Sequence, residues 1–137
     1  MSKEYDYFDH DADIGIIGKG KSIEEAFESA AAAMFAIMVN TDALNCRELI
    51  EVEFEEEDNE FALVEWLNKL LAVSHMKHLA LGRFALHKEG NVWSGKAWGE
   101  KWQRDLERGT EVKGATLTML SVKEKEDHWE ARCVVDV

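Results

Sequence analysis

The segment Asp9-His10-Asp11-Ala12-Asp13-Ile14-Gly15 places three carboxylates and one imidazole within five residues. If the segment is extended, Asp9, Asp11 and Asp13 share one face, because side chains alternate along a strand. Hard divalent cations prefer oxygen ligands, and a cation would offset the repulsion among these carboxylates. A divalent-cation site is therefore one interpretation, but this local pattern alone is more typical of a solvated acidic strand face.

The C-terminal residues could supply a further carboxylate to such a site. The alternation of apolar and polar residues from His128 to Val137 predicts a half-buried final strand. Asp136 lies on the polar face of that strand. If the final strand pairs with the first, Asp13 and Asp136 would meet at one end of the sheet, although the sequence alone does not show that pairing.

Two amphipathic helices are predicted to support these strands. Ser22-Ile23-Glu24-Glu25 is a capping box that begins a helix ending near Asn40. A second helix is predicted over residues 60–78, preceded by an acidic run that suits a helix N-terminus. His75 and His78 are three residues apart near its end. That spacing could hold a metal on one helix face, but stabilisation of the negative helix terminus is the favoured interpretation.

The remaining segments predict strands. Each shows period-two alternation or a turn signal, and they cover residues 50–54, 84–88, 92–98, 112–122 and 128–137. Glu89-Gly90-Asn91 predicts a hairpin turn between two of them. Together with the N-terminal strand, the pattern predicts an α+β fold in the order β-α-β-α-β-β-β-β, with two helices packed on one face of a mixed sheet of about six strands.

Composition limits the classes of function. The length of 137 residues fits a single domain covering residues 1–137, and no apolar run is long enough to span a membrane. The N-terminus lacks the pattern of a signal peptide, so a cytoplasmic location is expected. A net charge of −12 argues against direct binding of RNA and is compatible with docking on a basic partner, or with solubility alone. Cys46 and Cys133 are too few for a disulfide framework, and Cys133 is expected to be a buried small hydrophobe.

No pattern of a catalytic nucleophile is present. The sequence has no Gly-x-Ser-x-Gly elbow, and the glycine-rich residues 15–20 lack the spacing of a phosphate-binding or dinucleotide-binding loop. We therefore predict that the protein is not an enzyme.

Several blocks together resemble the archease family. They span nearly the whole chain in the family's order: His10 to Gly15, Ser22 to Phe27, Trp66 to Leu71, Gly99-Glu100, Val112-Lys113 and Val135-Asp136-Val137. The resemblance implies a small α/β protein that assists the RtcB-type tRNA-splicing RNA ligase. That ligase joins RNA ends bearing a 3′-phosphate or a cyclic phosphate to a 5′-hydroxyl.

The resemblance also implies a site for one divalent cation. It maps onto Asp13, Asp136 and the main-chain carbonyl of Val137, with calcium as the first candidate ion and magnesium or manganese as alternatives. Asp11 and His10 are accessory candidates, although His10 would lie on the face opposite to Asp13 in a regular strand and is then not a ligand. Two positions depart from the family pattern: Asp11 stands where threonine or proline is frequent, and Thr116-Leu117-Thr118 replaces a Thr-Tyr-His run.

Three functions are consistent with this sequence. The first is a non-enzymatic activator that promotes guanylylation and multiple turnover of an RtcB-type ligase through an acidic, metal-bearing docking surface, and that meets tRNA only through the ligase. The second is a small divalent-metal-dependent phosphohydrolase that uses Asp11, Asp13, Asp136 and His10. The third is a general protein-interaction or chaperone-like module.

Overall fold

A computed structural model describes residues 4–137. Its elements in chain order are β1 (Tyr5–His10), β2 (Asp13–Gly20), α1 (Ile23–Met38), a 3-10 turn (Thr41–Ala43), β3 (Glu48–Glu55), α2 (Asn59–Lys77), β4 (Leu79–Glu89), β5 (Val92–Lys101), β6 (Gly114–Ala115), β7 (Ser121–Glu124) and β8 (Trp129–Asp136).

The strands form two antiparallel sheets. The first has the order β1-β2-β8-β6, with β7 also paired to β8, and the second has the order β3-β5-β4. Each helix contacts strands of both sheets. The α+β class and the two helices are thus confirmed, but the strands lie in two antiparallel sheets rather than in one mixed sheet. The count rises from about six to eight because two of the predicted strands are each interrupted by a turn.

The first interruption is at Asp11 and Ala12. The segment predicted as one strand reverses there, so that His10 pairs with Asp13 in a hairpin. Asp11 adopts a left-handed backbone conformation with φ 52°, which aspartate tolerates better than most residues. The prediction that Asp9, Asp11 and Asp13 share one strand face is therefore wrong.

The second interruption divides the strand predicted over residues 112–122. Gly114 and Ala115 pair with the end of β8, and the chain then leaves the sheet before β7 pairs further along the same strand. Thr116 favours this departure, because its hydroxyl accepts a hydrogen bond from the Thr118 N–H at 3.2 Å and donates one to the Val134 carbonyl at 2.7 Å.

The predicted capping box begins α1. The Ser22 hydroxyl accepts a hydrogen bond from the Glu25 N–H at 3.2 Å, and the Glu25 carboxylate accepts one from the Lys21 N–H at 2.8 Å. The helix ends at Met38, close to the predicted Asn40. Its alanine-rich face is buried against the first sheet, so the helix backbone packs close to β2.

The second helix packs against the first. Asp58 caps its N-terminus by accepting hydrogen bonds from the Glu60 and Phe61 N–H groups, which fits the predicted role of the acidic run. Trp66 is fully buried, and its indole N–H donates to the Phe27 carbonyl of α1 at 2.9 Å. This bond fixes the spacing of the two helices, because a buried indole N–H needs a partner.

Aromatic stacking connects α1 to the second sheet. The Phe27 ring stacks on Trp93 at 4.9 Å between centroids, and Trp93 also stacks on Phe54 at 6.0 Å. Gly95, two residues along β5, faces the Trp66 ring so closely that a Cβ there would overlap it. The absence of a side chain at Gly95 lets the Trp66 ring pack directly on β5, and the core joins both helices to both sheets.

Candidate functional site

The two aspartates singled out by the sequence lie on neighbouring strands. Strand β2 pairs with β8 in antiparallel register, and the last recorded pair is Ile14 opposite Val135. Asp13 precedes Ile14 and Asp136 follows Val135, so the two aspartates are the next facing positions of this register. Facing residues of an antiparallel pair have Cβ atoms about 5 Å apart and project from the same side of the sheet.

A hydrogen bond connects the two strand ends at this point. The Val137 N–H donates to Oδ1 of Asp13 at 3.2 Å. Asp13 and Val137 are half-buried, whereas Asp136 is exposed. The carboxylate of Asp13 is therefore directed toward the main chain at the end of β8, across 124 residues of sequence.

The hairpin turn adds two accessory candidates. His10 pairs with Asp13 in the β1–β2 register, so both side chains project from the same face of the sheet. This overturns the argument that His10 lies opposite to Asp13, which required one uninterrupted strand. The imidazole Nδ1 lies 3.8 Å from a carboxylate oxygen of Asp11, which is exposed on the turn. We call Asp11, Asp13 and Asp136 the acidic rim.

Asp9 does not belong to the acidic rim. Tyr7 donates a hydrogen bond from its hydroxyl to the Ala33 carbonyl at 2.7 Å, so this parity of β1 faces α1. Asp9 has the same parity and is paired with Ile14. The opposite parity carries Phe8, whose ring covers Gly15 so closely that a Cβ at Gly15 would overlap it. Gly15 thus permits the aromatic packing that supports the β1–β2 hairpin.

The face that carries the acidic rim also holds Arg132. Its guanidinium lies 5.3 Å from the centroid of the Phe8 ring and 3.7 Å from the Glu130 carboxylate. These contacts direct the charge toward neighbours on the sheet. The recorded contacts of the Arg132 guanidinium are thus with Phe8 and Glu130 and not with the carboxylates of the acidic rim.

The short strand β6 supports the end of β8. The Lys113 N–H donates to the Asp136 carbonyl at 2.7 Å, and Gly114 pairs with Asp136. Asn68 of α2 holds β6 in place. Its side-chain carbonyl accepts a hydrogen bond from the Ala115 N–H at 2.9 Å, and its amide donates to the Ala115 carbonyl at 3.3 Å.

Sequence reasoning did not assign this role to Asn68. A polar residue between the buried Leu67 and Leu70 of α2 was the available signal. Such a residue needs a hydrogen-bond partner when its helix face packs against other elements. Asn68 therefore positions the acidic rim indirectly, through the two residues of β6.

The arrangement suits a hard cation. Neighbouring carboxylates repel each other unless a cation compensates their charge, and carboxylate and carbonyl oxygens are the ligands that calcium, magnesium and manganese prefer. Within residues 4–137, no group of three or more His, Cys, Asp or Glu side chains is arranged to hold a metal. The predicted site has only two carboxylate ligands and a main-chain oxygen, and its metal binding stays a prediction.

The other candidate residues have structural roles. His78 ends α2 in a left-handed conformation with φ 54°, and its N–H bonds to the Ser74 and His75 carbonyls. Cys133 is fully buried, as predicted, and burial raises the pKa of its thiol to about 12. A thiol in this environment stays protonated at neutral pH, so it is a poor nucleophile.

Comparisons with known proteins agree on one family. Residues 5–137 match the model described as the Archease protein family. The protein archease of Sulfolobus acidocaldarius is 38% identical over 136 residues, which cover 97% of this chain and 98% of that protein. The protein archease of Pyrococcus abyssi is 36% identical over 141 residues, covering 98% and 99% of the two chains.

Two solved structures are similar to this one. The solution structure of protein 1598 from Methanobacterium thermoautotrophicum has a TM-score of 0.86 and 30% identity, covering 99% of this chain and all of that chain. The crystal structure of an archease from Thermotoga maritima, described as a possible chaperone, has a TM-score of 0.65 and 26% identity, covering 95% and 94% of the two chains.

Proposed function

Because the chain belongs to the archease family, we propose that it is a non-enzymatic activator of an RtcB-type tRNA-splicing RNA ligase. The observation that supports this proposal is the hydrogen bond from the Val137 N–H to Asp13, which joins two strand ends that each carry an aspartate, on a protein with a net charge of −12. An acidic protein is suited to docking on the basic surface with which a ligase binds RNA, and unsuited to holding RNA itself.

The acidic rim is the proposed docking surface. Asp13 and Asp136 would hold one divalent cation through their carboxylate oxygens, with the main-chain oxygen of Val137 as a third donor. The ion would supply positive charge and coordination positions open to water or to a partner, and calcium fits this oxygen set, as do magnesium and manganese. Asp11 and His10, beside Asp13 on the hairpin, would adjust the charge of the surface.

Activation would be conformational. In this proposal the acidic rim engages the ligase near its metal and nucleotide site and favours the state that accepts guanylate from GTP. The chemical steps stay on the ligase, and tRNA meets the activator only through it. The buried Cys133 thiol and the engagement of Arg132 with Phe8 and Glu130 support a role without catalysis of its own. This function would place the protein in the cytoplasm. Within residues 4–137, none of the helices has both the length and the apolar character that a membrane span requires.

Substitution of Asp136 by asparagine tests the proposal. We expect Asp136→Asn to weaken calcium or manganese binding by at least about tenfold in calorimetric titration, since an amide is a weaker cation ligand than a carboxylate. The same variant should lose stimulation of ligase guanylylation over several turnovers. Asp105→Asn is the matched control, because it removes one exposed carboxylate from the loop after β5 and leaves the rim unchanged.

Four outcomes would contradict parts of this proposal. Full stimulation by a folded Asp136→Asn variant, with folding checked by circular dichroism, would show that the acidic rim is incidental. Failure of the wild type to stimulate its ligase would overturn the activator function. Metal-dependent turnover of a phosphate ester by the purified protein would favour the phosphohydrolase, and suppression of client-protein aggregation without any ligase effect would favour the chaperone-like module.

A further inference from the structure

The loop between β6 and β7 is an excursion from the sheet. Ala115 pairs with Val135 and Ser121 pairs with Arg132, so residues 116–120 stand opposite only two residues of β8. The extra residues cannot fit into the ladder and project outward. This segment, which we call the 116–120 loop, lies beside the part of β8 that ends in the acidic rim.

Hydrogen bonds hold the base of the loop against β8. The Val134 carbonyl accepts from both the N–H and the hydroxyl of Thr116, at 3.1 and 2.7 Å. The Val134 N–H donates to the Thr118 carbonyl at 3.1 Å, and the Leu120 N–H donates to the Leu117 carbonyl at 3.3 Å. Because its backbone is fixed at both ends, the loop presents its side chains in a defined geometry.

The side chains that it presents are apolar. Leu117 is 61% exposed and Met119 is 50% exposed. Single exposed apolar residues are ordinary on a protein surface, but this short loop displays two. Met119 also has a left-handed backbone with φ 56°, which is costly for a residue other than glycine, asparagine or aspartate. The loop thus combines a costly backbone conformation at Met119 with exposed apolar side chains. Asparagine or aspartate at this position would adopt the same conformation at lower cost.

Charge indicates what would cover this apolar surface. Asp136 is paired with Gly114, which precedes the loop by two residues, and the Val137 N–H joins the end of β8 to the Asp13 carboxylate. Protein interfaces commonly place a few apolar anchors beside charged groups that complement the partner. A partner that covers both features would need an apolar recess bordered by lysine or arginine.

We propose that Leu117 and Met119 are apolar anchors that contact the basic surface of the ligase partner, and that the acidic rim accelerates association electrostatically. This inference rests on the proposed function, because it takes the ligase as the occupant. Methionine is suited to such contacts, since its flexible, polarizable side chain adapts to an irregular recess.

The two parts of the surface should affect binding in different ways. Charged groups at an interface mainly change the association rate and its salt dependence, whereas apolar anchors mainly change the dissociation rate. We expect Leu117→Gln/Met119→Gln to raise the Kd for the ligase at least about tenfold by faster dissociation. Its association rate and salt dependence should match the wild type. Asp136→Asn should instead slow association and weaken the salt dependence.

A matched control separates this site from a general effect of apolar surface. Leu49→Gln/Met76→Gln makes the same chemical changes at residues that are 47% and 74% exposed on β3 and α2. It should bind the ligase as the wild type does. Surface plasmon resonance with immobilised ligase, at several salt concentrations, gives the two rates for all four proteins.

The possible outcomes distinguish the role of the 116–120 loop from the proposed activator function. Equal dissociation rates for the two double variants, with normal wild-type binding, would overturn the role of the 116–120 loop and leave the activator function standing. Absence of wild-type binding would overturn both. If sedimentation shows a wild-type dimer that becomes monomeric only in Leu117→Gln/Met119→Gln, the occupant is a second copy of this chain and the ligase assignment is wrong.

Discussion

Removal of the Asn68 side chain should loosen β6 and, with it, the acidic rim. Asn68→Ala deletes both hydrogen bonds to the Ala115 backbone. Each bond contributes about 0.5–1.5 kcal/mol to the free energy of unfolding, so the loss is about 1–3 kcal/mol. Alanine is a better helix former than asparagine and returns about 0.5 kcal/mol. We expect a net decrease of about 0.5–2.5 kcal/mol in the free energy of unfolding, measured by urea denaturation.

Hydrogen exchange gives a local readout of the same change. The Ala115 N–H donates to the Asn68 side-chain carbonyl, so its exchange should accelerate strongly in Asn68→Ala. Asn68→Asp keeps an oxygen that can accept this bond but loses the donor to the Ala115 carbonyl. It should therefore retain more protection at the Ala115 amide than Asn68→Ala does, despite its own loss of stability.

The matched control is Asn59→Ala. It makes the same chemical change in α2 at a residue whose side chain makes no hydrogen bond within residues 4–137, and it should change stability by less than about 0.5 kcal/mol. Unchanged stability and unchanged exchange at Ala115 in Asn68→Ala would refute the positioning role of this residue.

Cys133 is buried and Glu28 is half-buried, and both have raised pKa values. Burial raises the pKa of the Cys133 thiol to about 12. Iodoacetamide at pH 8 should therefore leave Cys133 unmodified in the native protein, as measured by mass spectrometry. Modification of the folded protein would contradict this prediction. Burial also raises the pKa of the Glu28 carboxyl, which accepts a hydrogen bond from the Leu86 N–H at 2.8 Å. Its contribution to stability is therefore full below its unfolded pKa and decreases as pH rises through the folded pKa. Glu28→Gln, which keeps an acceptor for Leu86, should weaken this decrease in urea unfolding across acid to neutral pH, and an unchanged pH dependence would contradict it.

Local signals were sufficient for the elements whose stability is decided within a few residues. The Ser22 capping box predicted the start of α1, because a cap involves only neighbouring backbone groups. Gly90 predicted the turn between β4 and β5, where it adopts φ 61°. The alternation in β8 predicted that Cys133 is buried, because the strand is continuous and one face packs on the core.

The candidate site depended on both kinds of information. The sequence and its family resemblance predicted that Asp13 and Asp136 form one site. Their adjacency required the pairing of β2 with β8, which long-range burial of Ile16 and Cys133 stabilises. No local pattern specifies which two strands pair, since the same alternating face could be buried against several neighbours.

Only the tertiary structure decided where predicted strands are interrupted. Alternation assigns faces correctly as long as a strand continues, but the reversal at Asp11 moved Asp9 to the α1 side and brought His10 to the side of Asp13. In the same way, the bonds of Thr116 and Thr118 to Val134 replaced a continuous strand by the exposed 116–120 loop. The sequence thus determined the helices, their caps and the aspartates proposed to bind a cation. The arrangement of those residues was decided by strand pairing, because hydrogen bonds between distant segments stabilise turns that local propensity leaves undetermined.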